Sequence, residues 1–344
     1  MSGHAPFCEA AQLLLLGPDL YPKLSPRTIS VQSISGTGAI RLGCEFFSRF
    51  HKKRNKKTTI LLPDPTWGNH LPIAKDANLE VQTYRYLDTK NLTTPRLDIE
   101  GMLDDLSSAP EGSIALLHLC AHNPTGVDPT LDQWRKIAEC CKSNNLQIFF
   151  DNAYQGFASG DLNGDAKPLQ MIVGEEFNMH VFVGCSFAKN MGLYGERTGV
   201  LHVVAPDETS AQNILTQLKK LARATYSSPP QFGAMIAHKV MTQPEMRSSW
   251  EHELKGMADR INNMRSALRE RLELKASGQK WNHITDQIGM FSYTGLTEAQ
   301  VEACSNAGVF MLNTGRISMA GLNESNVDHV ADVMANAVKQ QSQN

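Results

Sequence analysis

The 344-residue sequence lacks any hydrophobic run long enough to cross a bilayer. Its apolar stretches, such as Leu13-Leu14-Leu15-Leu16, fall far short of the ~20 residues a spanning helix needs, so a membrane protein is not expected. It also lacks a surplus of either charge: 33 Lys+Arg face 35 Asp+Glu, a formal net charge of -2. That balance supplies no global field for nucleic acid or an anionic membrane surface. Seven cysteines (Cys8, Cys44, Cys120, Cys140, Cys141, Cys185 and Cys304) show no C-x-x-C spacing and no histidines at metal-site intervals. Neither a disulfide framework nor a metal site is therefore expected, and reduced thiols in an intracellular compartment fit the pattern. Low-complexity segments and internal repeats are missing as well. Acidic Glu9 stands where a secretory signal would need an apolar core, and no basic region precedes it, so a cytoplasmic address is expected. On that expectation, Asn91-Leu92-Thr93 and Asn323-Glu324-Ser325 match the glycosylation acceptor pattern by chance.

What is present is ordinary globular material, 41% hydrophobic and 20% charged, which argues against wholesale disorder. The length suggests two domains at about 150 residues each. The one charge run, His51-Lys52-Lys53-Arg54-Asn55-Lys56-Lys57, has no interleaved aromatics and reads as a solvated loop between a helix and a strand.

Short apolar runs at 58–62, 80–86, 113–120, 146–151, 180–184 and 199–204 read as buried strands. Between them, 131–144 carries Leu131, Trp134, Ile137, Ala138 and Cys141 at helical spacing, and 209–224 behaves similarly. Alternation of this kind predicts an α/β domain with a mixed, mostly parallel sheet and helices on both faces. Residues 244–274 carry Leu254, Met257, Ile261, Met264 and Leu268 at three- and four-residue steps, a long helix linking domains. Strands at 289–293 and 309–312 and a terminal helix at 327–339 complete a small α+β unit. The expected division is 1–256 for the large domain and 257–344 for the small one.

Functional groups in open α/β sheets gather at the carboxyl ends of strands. Four such places hold unusual residues. Ser35-Gly36-Thr37-Gly38-Ala39 opens a helix, a seat for phosphate or an ordinary N-cap. A dinucleotide site is a weaker reading, because Arg41 stands where G-x-G-x-x-G needs its third glycine. Asp151 follows the apolar run Gln147-Ile148-Phe149-Phe150, with Tyr154 just beyond, and either caps a loop or faces a ligand. Asn123-Pro124-Thr125-Gly126 is a turn. Lys189 lies just past another buried strand, in a segment ending at Arg197, and is either solvent-facing or functional.

Together, these pieces resemble the aspartate aminotransferase family, pyridoxal-phosphate enzymes of fold type I. The resemblance runs from about Gly17 to the C-terminus and is carried by residues 35–39, Asp64-Pro65-Thr66-Trp67-Gly68-Asn69-His70, 118–126, 151–154, 186–197 and Gly315-Arg316-Ile317, all in family order. It implies pyridoxal 5'-phosphate as cofactor, with Lys189 bonded to its aldehyde and moving the substrate proton. Asp151 would pair with the ring nitrogen, and Asn123 and Tyr154 would bond the ring hydroxyl oxygen. Trp67 would stack on the ring, with His70 and His118 behind Asp151. Ser35, Gly36, Thr37, Ser186 and Arg197 would hold the phosphate.

The resemblance also implies that Arg316 clamps the substrate α-carboxylate. Arg223 would reach across a homodimer to the side-chain carboxylate, for which a planar guanidinium is suited; the plain alternative is a helix C-terminal cation. The implied reaction is transamination between L-aspartate and 2-oxoglutarate; amino and keto acids are the partners, and neither nucleic acid nor membrane is expected. Alternatives are a broader aspartate/aromatic aminotransferase and a poorly active dimer partner. The last arises because Met1-Ser2-Gly3-His4 stands where the family's N-terminal stretch would be ending. If an upstream segment is missing, a mitochondrial address becomes the alternative to a cytoplasmic one. On the same expectation, the helix starting near Phe7 and the patch at 309–312 should be exposed, and turnover should suffer more than cofactor binding.

Overall fold

The computed structural model describes residues 1–51, 57–88, 95–276 and 278–341. The first glycosylation-type match, at Asn91, and the centre of the basic run lie outside the described residues.

The chain opens with α1 (Ala5–Leu24), kinked at Gly17 with φ +73, then β1 (Thr28–Ile34) and α2 (Ser35–Phe50). There follow β2 (Thr59–Asp64), α3 (His70–Asp76), β3 (Glu80–Arg85), α4 (Ile99–Ser107), β4 (Ile114–His118) and α5 (Leu131–Ser143). The central stretch adds β5 (Gln147–Asn152), α6 (Leu162–Val173), β6 (Val181–Ser186), β7 (Thr198–Val204), α7 (Glu208–Thr225) and α8 (Phe232–Thr242). A long α9 (Pro244–Lys275) leads to α10 (His283–Asp286), β8 (Phe291–Tyr293), α11 (Glu298–Asn306), β9 (Arg316–Ser318) and α12 (Val327–Gln341).

Seven strands form one sheet in the order β1-β7-β6-β5-β4-β2-β3. β2 through β6 run parallel, whereas β7 is antiparallel to both β6 and β1. The expected mixed, mostly parallel sheet is therefore present, and β1 is an edge strand that the apolar runs did not reveal. Its sequence TISVQSI alternates poorly, because Gln32 and Ser33 are buried polar residues. Local chemistry explains the helix starts. Thr130 and Gln133 form a reciprocal capping box at α5, and Asp207 accepts from Ser210 N at α7. The central parallel strands are covered on both faces and carry runs of apolar residues, as Ile148, Phe149 and Phe150 of β5, all fully buried, show, whereas the parallel edge strand β3 is largely exposed.

The expected domain boundary at residue 256 falls inside α9. One apolar core continues from the sheet past Trp250 and Leu268 of α9 to Met334 of α12. Two expectations are corrected. Residues 309–312 form no strand; Val309 N and Leu312 N are taken up by Cys304 O and Arg316 O in turns, and β8 pairs with β9 instead. Phe7 is fully buried with its ring edge-on to Phe187 at 5.2 Å, so the front helix is covered, while Phe310 and Leu312 are exposed.

Candidate active site

Strand ends assemble one concave cavity, lined among others by Ser35, Trp67, Asn123, Asp151 and Lys189. Asp151 is the penultimate residue of β5, Ser186 ends β6, and Ser35 begins α2, so three neighbouring elements converge there. Trp67 and Asn123 enter on loops after β2 and β4, and Lys189 on the turn after β6. Parallel pairing sets this convergence: Asp151 is opposite Gly184 on β6 and His118 on β4.

Asp151 is buried, and His70 Nε2 stands 3.0 Å from its Oδ2. His70 Nδ1 faces Thr66 Oγ1 at 2.7 Å, which holds the ring in place. Burial pushes the Asp151 carboxyl up, but the hydrogen bond and charge of His70, with His118 and Lys189, bring it net below the ordinary carboxylate range. His118 lies edge-on to His70 at 5.1 Å, and burial pushes its imidazole down to about 3, so it is neutral. It lines the cavity as well as backing Asp151. Lys189 Nζ is 5.0 Å from the Tyr154 ring centroid. Burial lowers its amine pKa, Asp151 opposes that, and Arg197 adds to it. Trp250 Nε1 of α9 donates to Asn190 O at 2.7 Å and so anchors the lysine turn.

The opposite end of the cavity is built for an anion. The N-terminus of α2 has no side-chain cap, so no side chain takes up the N–H groups of its first turn. Ser35 has φ +59, its N–H bonds Arg197 O at 2.9 Å, and its Oγ meets Ser186 Oγ at 3.1 Å. A Cβ on Gly36 would stand 3.0 Å from Ser186 Cβ, so glycine keeps this floor open. Thr37 and Arg197 complete the lining. Asn123 links the cavity to the C-terminal elements. Its Nδ2 donates to the Tyr154 hydroxyl at 3.4 Å, and Arg316 Nη1 donates to its Oδ1 at 2.9 Å. Behind Asn123, Ala121 N and His122 N donate to Asp128, whose carboxyl is raised to about 6 by burial.

Every expected cofactor residue thus lines one cavity, with His70 packed behind it and Arg316 at its rim. Arg223 is not brought there: it is exposed at the end of α7, with Nη1 3.3 Å from Ser227 Oγ. Sequence reasoning missed Tyr194, which lines the cavity but has only a place within the 186–197 segment as its signal.

A seven-stranded α/β sheet that brings an uncapped helix N-terminus, a half-buried lysine amine and a buried aspartate together at its strand ends has the parts of a group-transfer enzyme. The chain belongs to the aminotransferase class I and II family, whose model matches residues 1–334. It is 47% identical over 340 residues to the mitochondrial aspartate aminotransferase of Gallus gallus, covering 98% of this chain and 78% of the relative. The structure of the broad specificity aminotransferase from Leishmania mexicana superposes with a TM-score of 0.93 at 40% identity, covering 98% of this chain and 81% of that one. The aromatic-amino-acid aminotransferase from Burkholderia pseudomallei, covalently bound to pyridoxal phosphate, superposes at 0.92 with 38% identity and coverages of 98% and 82%.

Proposed function

We propose that this aminotransferase uses pyridoxal 5'-phosphate to move an amino group between L-aspartate and 2-oxoglutarate, giving oxaloacetate and L-glutamate. The carrying observation is one cavity that holds a lysine amine, a buried carboxylate and an uncapped helix N-terminus together. These residues fit the cofactor, and the open floor at Gly36, where a Cβ would crowd Ser186, is the feature that suits a bound phosphate. When bound, pyridoxal phosphate supplies an electron sink that makes the α-hydrogen of an amino acid acidic. Ser35, Gly36, Thr37, Ser186 and Arg197 would hold its phosphate and Trp67 its ring face. Asp151, kept ionised by His70, would hold a proton at the ring nitrogen, while Asn123 and Tyr154 would donate to the ring oxygen. Lys189 would anchor the cofactor through Nζ and carry the substrate proton, a task suited to an amine with a lowered pKa.

Arg316 would clamp the α-carboxylate and Arg223 the second carboxylate, donated from another copy in a homodimer. The exposed Phe232, Met235 and Ile236 on α8, close in sequence to Arg223, support that interface. Residues 1–256 would act as the cofactor-binding unit and 257–344 as the small unit. The name of the chicken relative supports a mitochondrial address; a cytoplasmic one rests on sequence composition. A second reading, wider range toward aromatic amino acids, is favoured by the structural likeness to the broad specificity and aromatic enzymes.

The decisive experiment mixes the purified protein with pyridoxal phosphate. A yellow protein whose chromophore borohydride fixes to the peptide carrying Lys189 is expected. A folded protein that stays colourless overturns the proposal.

A further inference from the structure

Arg265 sits in the middle of α9 with 1% of its surface exposed, among the largest fully buried side chains of the molecule. Among the described residues no carboxylate lies within ion-pair distance of it, so its charge is held by backbone dipoles alone. Nη1 donates to Ile284 O at 2.8 Å, and Nη2 to Gly289 O at 2.9 Å and to Phe291 O. Nε has no partner. A buried guanidinium without a counter-ion is costly, and a hydrophobic side chain would fill the same helix position more cheaply. Its site therefore calls for a reason beyond packing.

The three carbonyls belong to one segment, and that segment leads to the substrate end of the cavity. Gly289 has φ +80, and a Cβ there would lie 2.4 Å from Ala121 Cβ. Ile288 N donates to Gly126 O at 2.7 Å, so the segment is wedged against the loop that carries Asn123. It then enters β8, whose Phe291 ring lies 4.3 Å beneath the Arg316 guanidinium and edge-on to Tyr154 at 6.2 Å. Tyr293 of β8 pairs directly with Arg316 of β9. The Arg316 guanidinium is thus held between the Phe291 ring on one side and the Asn123 amide oxygen on another.

We infer that Arg265 is a positioning residue for substrate carboxylate binding: by gripping the carbonyls of Ile284, Gly289 and Phe291 it sets the Phe291 platform on which Arg316 rests. This rests on the proposed role of Arg316 as the α-carboxylate clamp. Arginine suits the task because its rigid fork reaches several carbonyls at once, whereas lysine is a point donor on a flexible stem. The second arginine of α9 with such a grip, Arg260, holds Leu322 O and Ala320 O beyond β9, so the helix braces both strands of the small sheet at the end where Phe291 faces Ser318.

The test uses the cofactor-loaded protein and succinate as a probe, with calorimetric binding as readout. R265A leaves three carbonyls unpaired and serves only if it folds; R265K, which keeps the charge, carries the test. We expect R265K to weaken succinate about tenfold or more, the scale of one lost charged hydrogen bond, while pyridoxal phosphate affinity stays within about twofold. Leu272→Ala, a core truncation on the same helix, should lower the melting temperature yet leave succinate binding within about twofold. Wild-type succinate affinity in R265K, or an equal loss in Leu272→Ala, overturns the inference. Arg316→Leu separates the two readings. If it binds succinate normally, the clamp assignment itself falls; if it weakens binding while R265K does not, only the role of Arg265 falls.

Discussion

Arg316 Nη1 donates to Asn123 Oδ1 at 2.9 Å across a sequence separation of 193 residues. The bond joins a loop of the large sheet to a strand of the small one, and the same Asn123 donates its amide to the Tyr154 hydroxyl. Asn123→Ala removes both contacts at once. Because hydrogen bonds to charged groups are worth about 1.5–3 kcal/mol, kcat/KM for aspartate should fall about 10-fold or more. Steady-state kinetics on the variant check this, with part of the loss expected in KM because Arg316 loses its orientation.

Arg223→Leu should cost aspartate about 10–150-fold in kcat/KM and leave phenylalanine nearly unchanged. The arginine lies outside its own chain's cavity, so the effect arises only if copies share sites. An unchanged aspartate value rejects the assignment, and a stable monomer in sedimentation at micromolar protein rejects the shared site.

Gly199→Ala tests the anion seat from below. A Cβ there would stand 2.4 Å from the carbonyl carbon of Ser35 and 2.7 Å from Cys185 O, both backbone atoms that cannot swing away. Relief requires moving the first residue of α2. A destabilisation of about 1–3 kcal/mol and a weaker grip on pyridoxal phosphate are expected together. Titration of the cofactor absorbance and thermal melting read the two effects separately.

His202 isolates the acid response of the core. Burial pushes its imidazole down to about 3, and its Nδ1 faces Ser30 Oγ at 2.7 Å. The folded pKa lies below the unfolded value of about 6.5, so the unfolded chain binds more protons between these limits. Its contribution is fully present above about pH 6.5 and is lost as pH falls toward 3. Relative to His202→Asn, the wild type should lose up to about 1.4 kcal/mol per pH unit in that window. Denaturant melts of both proteins at several pH values check the slope of the difference, and parallel curves contradict it.

The sequence by itself determined the central strands, the amphipathic helices and the identity of most of the groups that line the cavity. Buried strands carry apolar runs such as Ile148-Phe149-Phe150, and α5 repeats its apolar face every three to four residues, so both are written locally. Asp151 and Lys189 were legible because each stands at or just past the end of such a strand, and Arg197 because it closes the motif that carries Lys189. Only the tertiary structure decided what local patterns cannot encode. β1 carries buried Gln32 and Ser33 and becomes a strand because β7 offers it a partner; residues 309–312 are apolar but find none. Arg223 lies outside its own chain's cavity, where a residue donated to a second copy would lie. Nothing in NNMRSAL marks Arg265 locally, and only the folding of residues 284–291 against α9 makes it a buried brace. Strand pairing and burial are relations between segments distant in sequence, so no reading of either segment alone contains them.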